Sequence, residues 1–168
     1  MGHGRIGQTD GAMRKTGWII IGAVAAAFII IQFFRPEKND KVTNPKNDIV
    51  FSFNMPVNVK KKIVNACYDC HSETTAYPFY NRVAPVSWII AGHIREGKKH
   101  LNFSDWASYD RKDQIKLLNE ICETITNGEM PLKGYVMMHS KAVFNEREIE
   151  EICAWTEQAA EELLSRKD

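Results

Sequence analysis

The 168-residue chain has only four cysteines, too few to staple a scaffold of this size. It also has almost no net charge. Its 22 basic and 21 acidic residues leave +1, and that balance excludes the basic surface a duplex nucleic-acid binder needs. Strand-like alternation of useful length is missing and no internal repeat is present, which argues against all-β and solenoid folds. Disorder is excluded too, because 44% of the residues are apolar. The length suits one domain with an extension. A mean hydropathy of −0.34 describes an ordinary soluble protein, but the apolar residues are unevenly spread.

They concentrate between Trp18 and Phe34, WIIIGAVAAAFIIIQFF, where Gln32 is the only strongly polar member. At about 1.5 Å per residue the run reaches roughly 25 Å as a helix, against a hydrocarbon core of about 30 Å. Thr16 and Gly17 can extend it, while Arg14, Lys15 and Arg35 can snorkel to the headgroups. No amphipathic stripe marks it as a buried core helix. Cleavage as a signal peptide at AVAAAF would leave FIIIQFF at the new terminus, and no lipid-attachment cysteine follows. A transmembrane anchor in the bilayer is therefore expected. The flanking charges do not orient it: Arg5, Arg14 and Lys15 precede the span, and Arg35, Lys38, Lys41 and Lys46 follow.

The expected organisation is an N-terminal segment 1–17, an anchor 18–34, a polar linker 35–55 and a domain 56–168. The linker contains Pro36 and Pro45, and Ile49 to Phe53 are expected to lie extended on the domain. Pro56 opens a helix whose face carries Val57, Ile63, Val64 and Cys67 through His71. A second helix follows Pro85, through Trp88, Ile89 and Ile90 to about Lys99. A third starts after the N-cap Asp110, presents Ile115, Leu118, Cys122 and Ile125, and stops at Gly128. A fourth starts at Asn145 with Glu148 completing a capping box, and presents Ile149, Ile152, Cys153 and Thr156 inward. The fold class is all-α.

Chemistry is concentrated at Cys67-Tyr68-Asp69-Cys70-His71, the C-x-x-C-H attachment signature of c-type haem. Thiols three apart on a helical turn can each form a thioether with one vinyl group, and the adjacent histidine offers an imidazole to the iron. A thioredoxin-like pair needs a preceding strand, and none is expected. A zinc site needs a second pair, whereas Cys122 and Cys153 lie far apart in sequence. Haem attachment is carried out outside the bacterial cytoplasmic membrane. The domain is accordingly expected in the periplasm, on a single-pass inner-membrane anchor with a cytoplasmic N-terminus.

A carrier of electrons needs a sixth iron ligand. Met130, in Gly128-Glu129-Met130-Pro131 just past a helix end, is the preferred candidate, because Pro131 restrains the loop and a thioether suits ferrous haem. His139, Met137, Met138, His93 and His100 are the alternatives, with His93 expected to be an ordinary helix residue. Tyr77, Phe79, Tyr80, Trp88, Phe103 and Trp106 can help enclose a porphyrin, most of them as simple core. Arg82 is the best charged partner for a propionate, and Trp88 a candidate hydrogen-bond donor to one.

With those residues in view the chain resembles a small c-type cytochrome and, more narrowly, the haem-binding domain family of membrane-anchored proteins from Bacteroidetes-like bacteria. The matching segments are CYDCHSETT from Cys67, Tyr77-Pro78-Phe79-Tyr80, Ala84-Pro85-Val86-Ser87-Trp88, Asn102-Phe103-Ser104-Asp105-Trp106, Gly128–Pro131 with Tyr135, and Trp155. The resemblance covers about 60–168. It implies a cytochrome c-like helical domain around one covalent haem c, and a redox role without a named partner. The crowding of Met137 and Met138 after Met130 is a departure.

Cys122 and Cys153 fall on inward faces and could pair or stay free. Lys60, Lys61 and Lys62, with Arg95, Lys98 and Lys99, could form a docking face for an acidic redox protein of the periplasm or inner membrane. The function expected is single-electron transfer rather than catalysis. The alternative is a haem-based sensor or peroxidase-like protein with an open or labile distal site.

Overall fold

The apolar run is helical, and the helix begins before its first apolar residue. The computed structural model describes residues 9–166, and helix α1 occupies Thr9–Ile31. Its window Arg14–Ile31 has a mean hydropathy of 1.7 and none of it is buried, so it is long and apolar enough to cross a membrane. The helix stops at Ile31, and Gln32, Phe33 and Phe34 follow in a tightening turn whose N–H groups donate to the carbonyls of Ile29, Ile30 and Ile31. Those three residues, expected inside the span, lie outside the regular helix.

The chain divides into two units. One comprises the residues up to Glu37 with Pro78–Ile90; the other comprises Lys38–Tyr77 with Ala91 onward. In the first, a short 3-10 turn Phe79–Arg82 precedes the helix that starts at Val86. The Gln32 side chain brackets one residue of this segment: its Nε2 donates to the Ala84 carbonyl (3.1 Å), and its Oε1 accepts from the Ala84 N–H (2.9 Å).

The second unit holds helices α2 (Ile49–Ser52), α3 (Val57–Ala66), α4 (Tyr68–His71), the later part of α5 (Val86–His100), α6 (Arg111–Thr126), α7 (Lys133–Val136) and α8 (Glu146–Ser165). Among the described residues no strand occurs; one isolated bridge joins Asp40 and Thr74. Both expected caps are present. Asp110 accepts from the Asp113 N–H at 2.8 Å, and Asn145 and Glu148 form a reciprocal capping box. α6 buries Leu117, Leu118, Ile121 and Ile125; α8 buries Ile152, Trp155, Thr156, Ala159 and Leu163. A Cys122–Cys153 disulfide links the two helices, with Cα atoms 4.9 Å apart. Free thiols, the alternative left open by sequence, are not what the structure has.

Several expectations change. Residues 38–55 are part of the packed unit rather than a bare linker: Asp48 caps α2 by accepting from the Val50 N–H, and Ile49 and Phe53 are buried. Phe53 meets Trp106 and Trp155 edge-to-face at 6.1 and 6.4 Å, which is why this stretch folds back instead of extending. On α3 the buried face is Val59, Ile63 and Ala66, an i, i+4, i+7 stripe, while Val57 and Val64 are exposed. α3 also ends at Ala66, so the motif sits on a separate turn of helix rather than at the end of one long helix. Trp88 and Ile89 of α5 are exposed, and Ile94 is buried.

Candidate functional site

Cys67 lies at the junction of α3 and α4, and Cys70 and His71 complete α4, whose turn is closed by His71 N–H donating to the Cys67 carbonyl at 2.9 Å. Both cysteines are free and half-buried. Burial, reinforced by Cys70, pushes the Cys67 thiol up to about 12; burial and the Asp69 charge push Cys70 up to about 11. At neutral pH both are therefore thiols rather than thiolates.

The His71 ring is held by its neighbours. Its Nδ1 lies 3.0 Å from the Leu101 carbonyl, an acceptor only, so Nδ1 carries the proton and donates. Burial lowers the His71 pKa despite the opposing backbone carbonyls of Leu101 and Gly97, so the ring is neutral. Nε2 then presents its lone pair. This is the tautomer a metal-ligating histidine needs, with the second-sphere carbonyl raising its basicity.

A glycine allows that approach. A Cβ on Gly97 would lie 2.6 Å from the Cys70 carbonyl oxygen and 3.2 Å from its carbon, both backbone atoms that cannot swing aside. Gly97→Ala is expected to cost about 1–3 kcal/mol through overpacking, outweighing the roughly 1 kcal/mol gained in helix propensity. Urea unfolding of both proteins measures the difference. An unchanged or raised midpoint would mean the two backbones can separate freely.

Asp69 fastens the other side of the turn. It accepts from the Tyr135 hydroxyl (2.7 Å) and the Ala76 N–H (2.9 Å), while its own carbonyl accepts from the Thr75 hydroxyl (2.7 Å). Asp69, Gly97 and the Leu101 carbonyl escaped the sequence reading. No local pattern marks these roles, because Tyr135 reaches Asp69 from 66 residues away and the Gly97 and Leu101 contacts to the motif come from a later stretch of the chain.

His71 opens on two clefts of the second unit. One, of about 230 Å³, is walled by Ala66, Cys67, Phe103, Leu117, Ile121 and Ile125; the other, of about 310 Å³, includes Cys70, His93, Gly97 and Tyr135. Met130, Pro131 and His100 line both. Met130 reaches this place through the end of α6. Gly128 takes a left-handed φ of 69°, open to glycine at little cost, and the N–H groups of Glu129 and Met130 both return to the Thr124 carbonyl.

Of the other candidate ligands, His100 lines both clefts and His93 the second, whereas Met137, Met138 and His139 lie elsewhere. Met137 and Met138 are exposed, by 82% and 61%. His139 stacks on Tyr135 at 4.0 Å, and with Met138 it lines a separate polar cleft. His100 faces Glu120 at 3.4 Å. Arg82 and Trp88 belong to the first unit; Arg82 is exposed, and the Trp88 indole N–H donates to the Phe34 carbonyl at 2.6 Å. Of the basic clusters, Lys62 pairs with Glu148 (2.6 Å) and Lys98 with Glu73 (2.8 Å), while Lys60 stands over the Phe51 ring.

Compared with known proteins, residues 26–158 match the family model described as a haem-binding domain. No curated protein and no solved structure matches.

Proposed function

The chain belongs to the haem-binding domain family, and from that premise we propose that it is a membrane-tethered, monohaem c-type cytochrome carrying single electrons on the periplasmic side of the inner membrane. One observation carries the reading: His71, with Nε2 free, and Met130 line the same two clefts beside the paired thiols Cys67 and Cys70.

This donor set fits haem. Two unpaired thiols, an oriented neutral imidazole and a thioether meet along largely apolar walls, where a metal site of hard cations would need carboxylates. Haem, when bound, supplies an iron that exchanges one electron with little rearrangement. Cys67 and Cys70 would hold the ring by thioethers, and His71 Nε2 and the Met130 thioether would be the protein's ligands to the iron. The Leu101 carbonyl keeps the imidazole in its tautomer. Phe103, Leu117, Ile121 and Ile125 exclude water, which favours a fixed environment across the redox cycle.

The compartment follows from two supports. A Cys122–Cys153 disulfide suits an oxidising space, and covalent haem attachment takes place outside the cytoplasmic membrane. α1 would serve as the anchor. An acidic redox protein would dock by way of Lys60 and Lys61, since Lys62 and Lys98 are held in internal ion pairs.

Optical spectra of the holoprotein and its Met130→Ala variant test the reading. The parent is expected to be low-spin, with the weak far-red band of methionine-ligated ferric haem and no reaction with CO. The variant is expected to lose that band and bind CO. A parent that is high-spin and binds CO readily would replace the carrier with a sensor or peroxidase-like protein.

A further inference from the structure

The first unit carries several large apolar side chains on its surface. Beyond the end of α1, Phe33 is 82% exposed and Phe34 is also open; in the segment Pro78–Ile90, Phe79 is 82% and Ile89 55% exposed, and Trp88 is exposed too. Large exposed apolar side chains in this number mark a candidate interaction surface.

Much of its backbone hydrogen bonding is met internally, although the Asn81 side-chain oxygen is buried without a partner. The Ala84 N–H and carbonyl both bond the Gln32 side chain, which also donates to the Phe28 carbonyl. Asn81 and Val83 donate to Pro78 and Tyr80; Ser87 and Trp88 donate to Val83 and Pro85. The indole N–H of Trp88 satisfies the Phe34 carbonyl left over at the helix end. Irregular backbone next to hydrocarbon is tolerated when its hydrogen bonds are met internally.

The patch is continuous with the apolar surface of α1, through Gln32, Phe33 and Phe34. Aromatic rings gather where a span leaves the hydrocarbon, and the exposed charged residues of the unit's helix end and second segment are Arg35, Glu37 and Arg82, of which the two arginines suit lipid phosphates. A soluble partner would leave the adjoining apolar helix uncovered, whereas a bilayer covers both.

We propose that residues 78–90 form an interfacial foot, seated in the headgroup region of the same bilayer that α1 crosses, with Phe79, Trp88 and Ile89 inserted and Arg82 at the phosphates. The inference rests on the membrane-span reading and extends it from one helix to two separated segments of the chain. It also gives Arg82 and Trp88 lipid rather than haem as their environment.

The test is nitroxide accessibility in the full-length holoprotein, reconstituted in vesicles of phosphatidylethanolamine and phosphatidylglycerol. Its native cysteines are occupied by haem or the disulfide, so a single introduced thiol takes the label. Labels at Phe79→Cys and Ile89→Cys are compared with Val24→Cys inside the span and Glu157→Cys on exposed α8. The ratio of oxygen to water-soluble nickel-chelate accessibility is expected to be several-fold higher at positions 79 and 89 than at 157, approaching that at 24. If 24 is immersed while 79 and 89 match 157, the foot is overturned and the span stands, as it would if the patch serves a protein partner. A water-accessible 24 overturns the span itself. Either labelled position suffices should the other variant fail to fold.

Discussion

Replacing Cys67 and Cys70 together with serine is expected to abolish haem staining on a denaturing gel completely. A denaturing gel reports only covalent haem, and the two thioethers are the only covalent links the proposed site provides. The serine hydroxyl is somewhat smaller than the thiol and forms no thioether, so the variant loses the bond with only a modest change in packing. Each single variant keeps one thiol on the turn and should retain a weaker stain. His71→Ala separates attachment from ligation: the thiols remain, so stain should persist while the low-spin spectrum is lost. Undiminished stain in the double variant would defeat the covalent c-type reading while leaving membership of the haem-binding family untouched.

The disulfide has the second large effect. Cys122→Ala with Cys153→Ala opens a loop of 31 residues between α6 and α8, and the chain-entropy model assigns such a closure about 3–4 kcal/mol. Domains are typically stable by only about 5–15 kcal/mol, so the variant should unfold at a markedly lower denaturant concentration. It should still fold, because Leu118, Ile121 and Ile125 of α6 and Ile152, Trp155 and Ala159 of α8 remain buried in one core. Denaturant curves for parent and variant, read by near-ultraviolet circular dichroism, measure the loss. Equal midpoints would show that the crosslink adds nothing, and alkylation of two native thiols would show that it does not form.

Much of the architecture was legible because its signals are local. The capping box at Asn145 and Glu148, the cap at Asp110 and the stop at Gly128 each act within four residues, and all three appear as expected. The apolar run told of a long helix for the same reason: its composition is the signal. Its end was misplaced by three residues, since what engages Gln32 is the backbone of Ala84, far away in sequence. The stretch 38–55 read as spacer because its average is polar. Its few apolar members, Ile49 and Phe53, are buried through aromatic partners that no local pattern names.

The site divides along the same line. C-x-x-C-H is chemistry written in adjacent residues, and Met130 could be favoured from the loop around it, so the donor types were open to sequence alone. Which methionine shares a cleft with His71, which carbonyl orients its ring, which glycine admits the Cys70 turn and whether Cys122 meets Cys153 were decided only by tertiary structure. The physical reason is range. Caps, turns and paired thiols act through neighbouring residues, whereas burial, ring orientation and backbone approach depend on elements that meet only when the chain has folded.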